Sequence, residues 1–136
     1  MGDIKINKEK ILEFHNMLIE RTGGDPGVRD EALLESAISA PFQTFMDRDL
    51  YCGMFDQGAA LGYYIINNHP FVDGNKRIGM LAMLTFMEIN CWGIFTTWEE
   101  VARVGWAIAR GEMGIEHISA WLHANSELIM PEMENN

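Results

Sequence analysis

A chain of 136 residues with 48% apolar and 22% charged residues has the size and composition of one globular domain, which excludes general disorder. Its longest near-apolar run, Ile78 to Met87, falls far short of the roughly 20 residues a membrane-spanning helix needs, and residues 1–7 contain no apolar signal core. Ten Lys/Arg against twenty Asp/Glu give a net charge of −10, which argues against direct DNA or RNA binding and against docking on an anionic membrane.

The acidic excess is even: residues 1–68 hold six basic and eleven acidic side chains, residues 69–136 four and nine. Cys52 and Cys91 are far apart and form no CxxC pair, so the expectation is two reduced thiols in a cytoplasmic protein.

The first helix is predicted from about Asn7 to Arg21, with Asn7 as its cap and Ile11, Phe14 (or His15) and Leu18 at helical spacing. Thr22 to Gly27 supplies turn residues that stop it. Asp30 caps a second helix whose buried face is Leu33, Leu34, Ala37 and Ile38, ending before Pro41. Pro41 to Gly53 is the least helical stretch and reads as a loop or short irregular hairpin, a flap at about 41–53.

A third helix covers about Met54 to Asn68, where Ala59, Ala60 and Gly62 permit close packing. A fourth, about Asn75 to Asn90, is apolar nearly all round and therefore central. The fifth opens at Thr97-Trp98-Glu99-Glu100, a capping-box pattern, and runs to about Arg110. A sixth spans about Ile115 to Ile129, and Pro131 to Asn136 reads as a frayed polar tail. The expected fold is all-α, a single compact domain over residues 1–136 with about six helices. Ten methionines suit an adaptable core. Trp92, Trp98, Trp106 and Trp121 read as core or groove residues, and His15, His117 and His123 as capping or surface residues.

Between the third and fourth helices lies His69-Pro70-Phe71-Val72-Asp73-Gly74-Asn75-Lys76-Arg77-Ile78-Gly79. It gathers a base, a carboxylate, an amide and two cations within nine residues. Taken singly, His69 could be a surface residue and Asp73 the cap of the fourth helix. Lys76 and Arg77, however, sit in a first turn, where cations oppose the helix dipole. A bound phosphate at the helix N-terminus would reconcile them with that place, and Gly74 lets a ligand approach the main chain. The spacing is not that of a P-loop.

His-Pro-Phe-x-Asp-Gly-Asn-Lys-Arg resembles the signature of the Fic/Doc family. Gly23-Gly24-x-x-Gly27-Val28-Arg29-Asp30, Leu33-Leu34-Glu35-Ser36-Ala37 and Phe86 to Asn90 resemble its death-on-curing branch. The resemblance implies that His69 is the general base on a substrate hydroxyl and that Asp73 holds Mg²⁺ bridging the phosphates of ATP. It implies that Gly74, Asn75 and the following amides form an anion hole, with Lys76 beside them, that Arg77 clamps a phosphate, and that Phe71 anchors the loop. Arg29 and Glu35 are candidates to brace the site, with capping and surface roles equally open.

The AMP-transferring Fic pattern has glycine at Lys76 and a second arginine at Met80. The departures imply phosphate transfer to a protein hydroxyl, on a translation protein such as elongation factor Tu. The alternatives are AMP transfer and a catalytically silent binding protein. The self-inhibitory Ser/Thr-x-x-x-Glu-Gly/Asn pattern is absent, since Thr96 to Glu100 is followed by Val101. Control is therefore expected in trans, from an antitoxin laid into an apolar groove beside His69. The flap is expected to align the target by strand addition, with Phe42 to Phe45 partly exposed.

Overall fold

Three of the six helices among the described residues start where a short polar side chain meets a free N–H group. In the computed structural model, which describes residues 4–129, Asn7 accepts a hydrogen bond from the Lys10 N–H at 2.8 Å and opens α1 (Lys8–Thr22). Asp30 does the same for α2 (Glu31–Ser39), from Leu33 at 3.0 Å. Pro41 falls in a 3-10 turn (Ala40–Phe42), after which the chain makes β1 (Thr44–Phe45) and β2 (Arg48–Asp49). Then come α3 (Met54–Asn68), α4 (Asn75–Ile89), β3 (Trp92–Ile94), α5 (Trp98–Ala109), α6 (Ile115–Asn125) and β4 (Ser126–Leu128). The molecule is mostly helical, as its periodicity implies.

α3 and α4 form the centre. α3 packs on α4, α6, α2 and α5, and α4 also packs on α1 and α5. Leu61, Ile65, Ile78, Met83, Phe86 and Met87 are fully buried between them and their neighbours. Small residues set the approach: a Cβ added at Gly79 would stand 2.5 Å from Ile66 Cγ1 and 3.3 Å from the Gly62 carbonyl oxygen. Gly79→Ala should therefore lower stability by about 1–3 kcal/mol, read as a shift in the denaturant midpoint.

The strands among the described residues form two small antiparallel ribbons. β1 pairs with β2 as Thr44↔Asp49 and Phe45↔Arg48. Met46 and Asp47 between them both take positive φ, 53° and 64°, as a two-residue hairpin turn of this hand requires. The flap is thus a hairpin, and Phe45 is exposed on it. Phe42 is half-buried, with its ring 5.8 Å from Phe86.

β3 pairs with β4, from Trp92↔Leu128 to Ile94↔Ser126. The predicted sixth helix is correspondingly shorter: it ends at Asn125, and Ser126 turns to an extended conformation to enter the ribbon. Residues 131–136, expected as a tail, lie outside the described residues. No helix among the described residues is long and apolar enough to cross a membrane.

The capping box at α5 is half made. Thr97 Oγ1 accepts from the Glu100 N–H at 3.1 Å. The Glu100 carboxylate does not reach back; it takes two bonds from Arg103, at 2.8 and 2.7 Å, and one from the Trp121 indole at 3.0 Å. Arg103 first, and then Trp121, hold the Glu100 carboxyl down at about 2. Its contribution to stability is present above the ordinary carboxyl range and is lost as pH falls toward 2.

Candidate active site

The α3–α4 connection is held by several separate devices. His69 ends α3 in the left-handed region, φ 53° and ψ 54°, with its N–H bonded to the Ile65 carbonyl. Arg29 closes that end from outside. Its Nε donates to the His69 carbonyl at 2.7 Å and its Nη2 to the Asn68 carbonyl at 3.0 Å. A cation at a helix C-terminus is favourable, so of the two proposed braces Arg29 is one in fact. Glu35 is not: it pairs with Lys8 at 2.9 Å, on the exposed side of α2.

Residues 27–30 then run along residues 70–72. The Arg29 and Asp30 N–H groups both donate to the Pro70 carbonyl, and the Val72 N–H donates to the Gly27 carbonyl. Phe71 is fully buried, the anchor the sequence suggested. Asn75 locks it. The Phe71 N–H donates to Asn75 Oδ1 and the Asn75 amide donates to the Phe71 carbonyl, both at 2.9 Å. The Asn75 side chain is therefore committed to the loop, and only its main-chain N–H is left to face an anion.

Asp73 is not the cap of α4. Gly74 occupies that position with φ 81° and ψ 18°, which suits glycine because it carries no Cβ. One Asp73 oxygen, Oδ2, accepts from the Asp25 N–H at 2.7 Å. Gly24 makes room for that contact: a Cβ there would lie 3.2 Å from both Asp73 Cβ and Oδ2. The first α4 residue to bond back along the helix is Ile78, to Gly74. The N–H groups of Asn75, Lys76 and Arg77 form its open, electropositive end.

His69, Asp73, Gly74, Asn75 and Lys76 line one cleft of about 490 Å³, together with Ile66, Asn67, Val72 and Ala109. The His69 side chain is exposed there and the Asp73 side chain half-buried. Arg77 is not part of this lining. Its guanidinium donates to Thr22 Oγ1 at the end of α1. Lys76 leans on α5, with Nζ 4.3 Å from the centre of the Trp106 ring, a cation–π contact.

Lys76 also borders a second depression of about 340 Å³. This one is apolar, floored by Leu18, Met80, Leu84 and Val101 and walled by Trp98 and Trp106. Trp98 is 78% exposed and Trp106 50%. An apolar groove therefore stands beside the cleft, with Lys76 on the shared rim.

The donor set suits a magnesium ion that arrives with phosphates. Among the described residues no group of three or more His, Cys, Asp or Glu side chains could hold a metal. Mg²⁺ commonly takes one or two carboxylates plus phosphate oxygens and water, and Asp73 keeps Oδ1 clear of the Asp25 contact.

The sequence left His15 between the apolar spacing of α1, as the alternative to Phe14, and a capping or surface role. It is fully buried beneath the cleft. Ile11, His15 and Ile19, four residues apart, are the buried residues of α1, and that spacing was the available signal.

A family model described as the Fic/DOC family matches residues 5–87, which is more than half of the chain and includes the whole cleft motif. The chain is 43% identical over 68 residues to "Toxin Doc" of Mycolicibacterium smegmatis, a match spanning 50% of this chain and 52% of that protein. It is 27% identical over 114 residues to "Protein kinase doc" of Escherichia phage P1, covering 84% of this chain and 89% of that protein. The chain thus spans about half the length of the first relative and most of the second.

Proposed function

We propose that this chain, which belongs to the Fic/DOC family, is a Doc-type toxin that transfers phosphate from ATP to a hydroxyl of a protein. A translation factor such as elongation factor Tu is the proposed target, and the cytoplasm the place of action. The observation that carries the reading is the single cleft in which His69, Asp73 and the open end of α4 meet.

His69 takes the hydroxyl proton while the substrate oxygen bonds to the γ-phosphorus. The bond from that phosphorus to the bridging oxygen breaks, and ADP leaves with the electron pair. The main-chain N–H groups from Gly74 onward receive phosphate oxygens, as helix N-termini do. Asp73 would hold Mg²⁺, which neutralises phosphate charge when bound. Arg77 reaches a phosphate by exchanging its bond to Thr22, a move open to an exposed guanidinium. The hairpin at 44–49 offers exposed strand residues for aligning a target segment.

Two features favour phosphate over AMP. Lys76 fills the position where the AMP-transferring Fic pattern has glycine, and a relative aligned over most of both chains is named a protein kinase. Lys76→Gly should therefore lose most γ-phosphate transfer and gain at most weak AMP transfer, because Met80, buried at 3% exposure, supplies no second charge. Parallel rate measurements on the variant check this; unchanged γ transfer would remove Lys76 from the mechanism. Intact-mass analysis of the modified target separates the two reactions, since a phosphate and an AMP add very different masses. No added mass on any hydroxyl-bearing target would favour a silent binding protein.

Control by an antitoxin in trans fits the apolar groove beside the cleft. An amphipathic segment with acidic groups near Lys76 and Arg77 would bury Trp98 and Trp106 and cover the rim of the site.

A further inference from the structure

We infer that His15, outside the motif and on a different helix, is a positioning residue for the cleft: its ring fixes the Asp73–Gly74 peptide, and with it the Asp73 carboxylate and the start of α4. This rests on the reading of the cleft as a phosphate site.

His15 is fully buried. Its Nε2 lies 2.8 Å from the Asp73 carbonyl oxygen. A carbonyl can only accept, so Nε2 carries the proton and donates. Nδ1 is then a buried nitrogen without a hydrogen-bond partner. The ring is stacked on Phe71, centroids 3.8 Å apart and planes 14° apart. It is wedged between the buried Ile11 and Ile19 on α1.

As core filling, imidazole is a poor choice at this place. A leucine or phenylalanine would continue the apolar face of α1 without stranding a polar atom, and leaving such an atom unpaired is unfavourable. What an apolar residue cannot do is make the bond to Asp73. That bond has no substitute. The Asp73 carbonyl precedes the first turn of α4. Among the described residues, His15 makes the one side-chain hydrogen bond to the main chain of residues 72–74.

The neighbouring devices hold other atoms. Arg29 fixes the carbonyl of His69, Asn75 fixes Phe71, and the Asp25 N–H meets the Asp73 carboxylate. Displacement of the Asp73 main chain would carry with it both the carboxylate on its Cα and the Gly74 N–H, and the bond from His15 opposes that displacement. Gly74 lies against the same ring: a Cβ there would be 3.5 Å from Nε2. Sites that bind by preorganised donors lose affinity steeply when those donors shift by about 1 Å.

Two variants separate positioning from packing. His15→Phe fills the space and keeps an aromatic face for Phe71 but has no donor. His15→Gln sacrifices the stacking but places an amide N–H where Nε2 was. Thermal stability, binding of ATP with Mg²⁺, and hydrogen exchange of the Asp25 amide are measured on the full chain. His15→Phe should be the more stable of the two, yet bind ATP with Mg²⁺ about tenfold or more weakly than the parent, with faster Asp25 exchange. His15→Gln should keep near-parental binding and slow Asp25 exchange despite its lower melting temperature.

Binding and exchange that follow stability across both variants would overturn the inference. So would parental binding and Asp25 exchange in His15→Phe. If the parent itself binds neither ATP with Mg²⁺ nor inorganic phosphate, the phosphate reading fails. The Asp25 exchange of the two variants then decides alone whether His15 positions the Asp73 carboxylate.

Discussion

His69→Ala should fold, bind ATP and lose transfer by about 10²–10⁴-fold, the usual worth of a positioned general base. The imidazole is exposed in the cleft. What the fold asks of this residue is main chain: a left-handed end to α3 and a carbonyl for Arg29. Truncation leaves both groups in place. Positive φ is uncommon for a residue with a Cβ, and asparagine accepts it well. His69→Asn is therefore the matched control, expected to be as inactive as the alanine variant with a melting temperature closer to the parent. Near-parental transfer by either folded variant would remove His69 from the chemistry.

Asp73→Asn should cut transfer by roughly 10²–10³-fold, on the scale of losing one charge-stabilising group from an active site. Stability should barely change. The bond that Asp73 makes at Oδ2 is to the Asp25 N–H, and an asparagine oxygen can accept it equally. Nor does the variant lose a helix cap, because Gly74 holds that position. What disappears is the negative charge proposed to face Mg²⁺. The transfer rate should then need far more Mg²⁺ to reach its plateau. If the Mg²⁺ dependence is unchanged while the protein loses stability, Asp73 serves only to fasten the Gly24–Asp25 turn.

Much of the fold was legible because its signals are local. Asn7, Asp30 and Thr97 each cap a helix through a side chain that reaches three residues ahead. Periodicity marked α3 and α4, and Pro70 and Gly74 marked the break between them. The cleft was legible for the same reason: His69 to Lys76 are contiguous, and a helix N-terminus gathers what precedes it.

What stayed hidden depends on distant partners. Ser126 to Leu128 continues a helical pattern, and only pairing with Trp92 to Ile94 makes it a strand. Glu100 has the spacing of a capping box but is drawn off by Arg103 and the Trp121 indole. Arg77 has the position of a phosphate clamp, yet the end of α1 supplies a hydroxyl that holds it. His15 lies 58 residues from the carbonyl it serves. Apart from the Glu100–Arg103 pair, which lies within α5, each of these contacts joins two separate elements, which no local pattern encodes.

The reaction itself is decided by which phosphate of ATP moves. The purified chain is incubated with Mg²⁺, elongation factor Tu and ATP labelled at the α or the γ phosphate in parallel, with His69→Ala as the blank. Label from γ and none from α, absent with His69→Ala, is the expected result. Label from α would make the chain an AMP transferase despite Lys76, and label from neither position on any protein hydroxyl would contradict a transferase altogether.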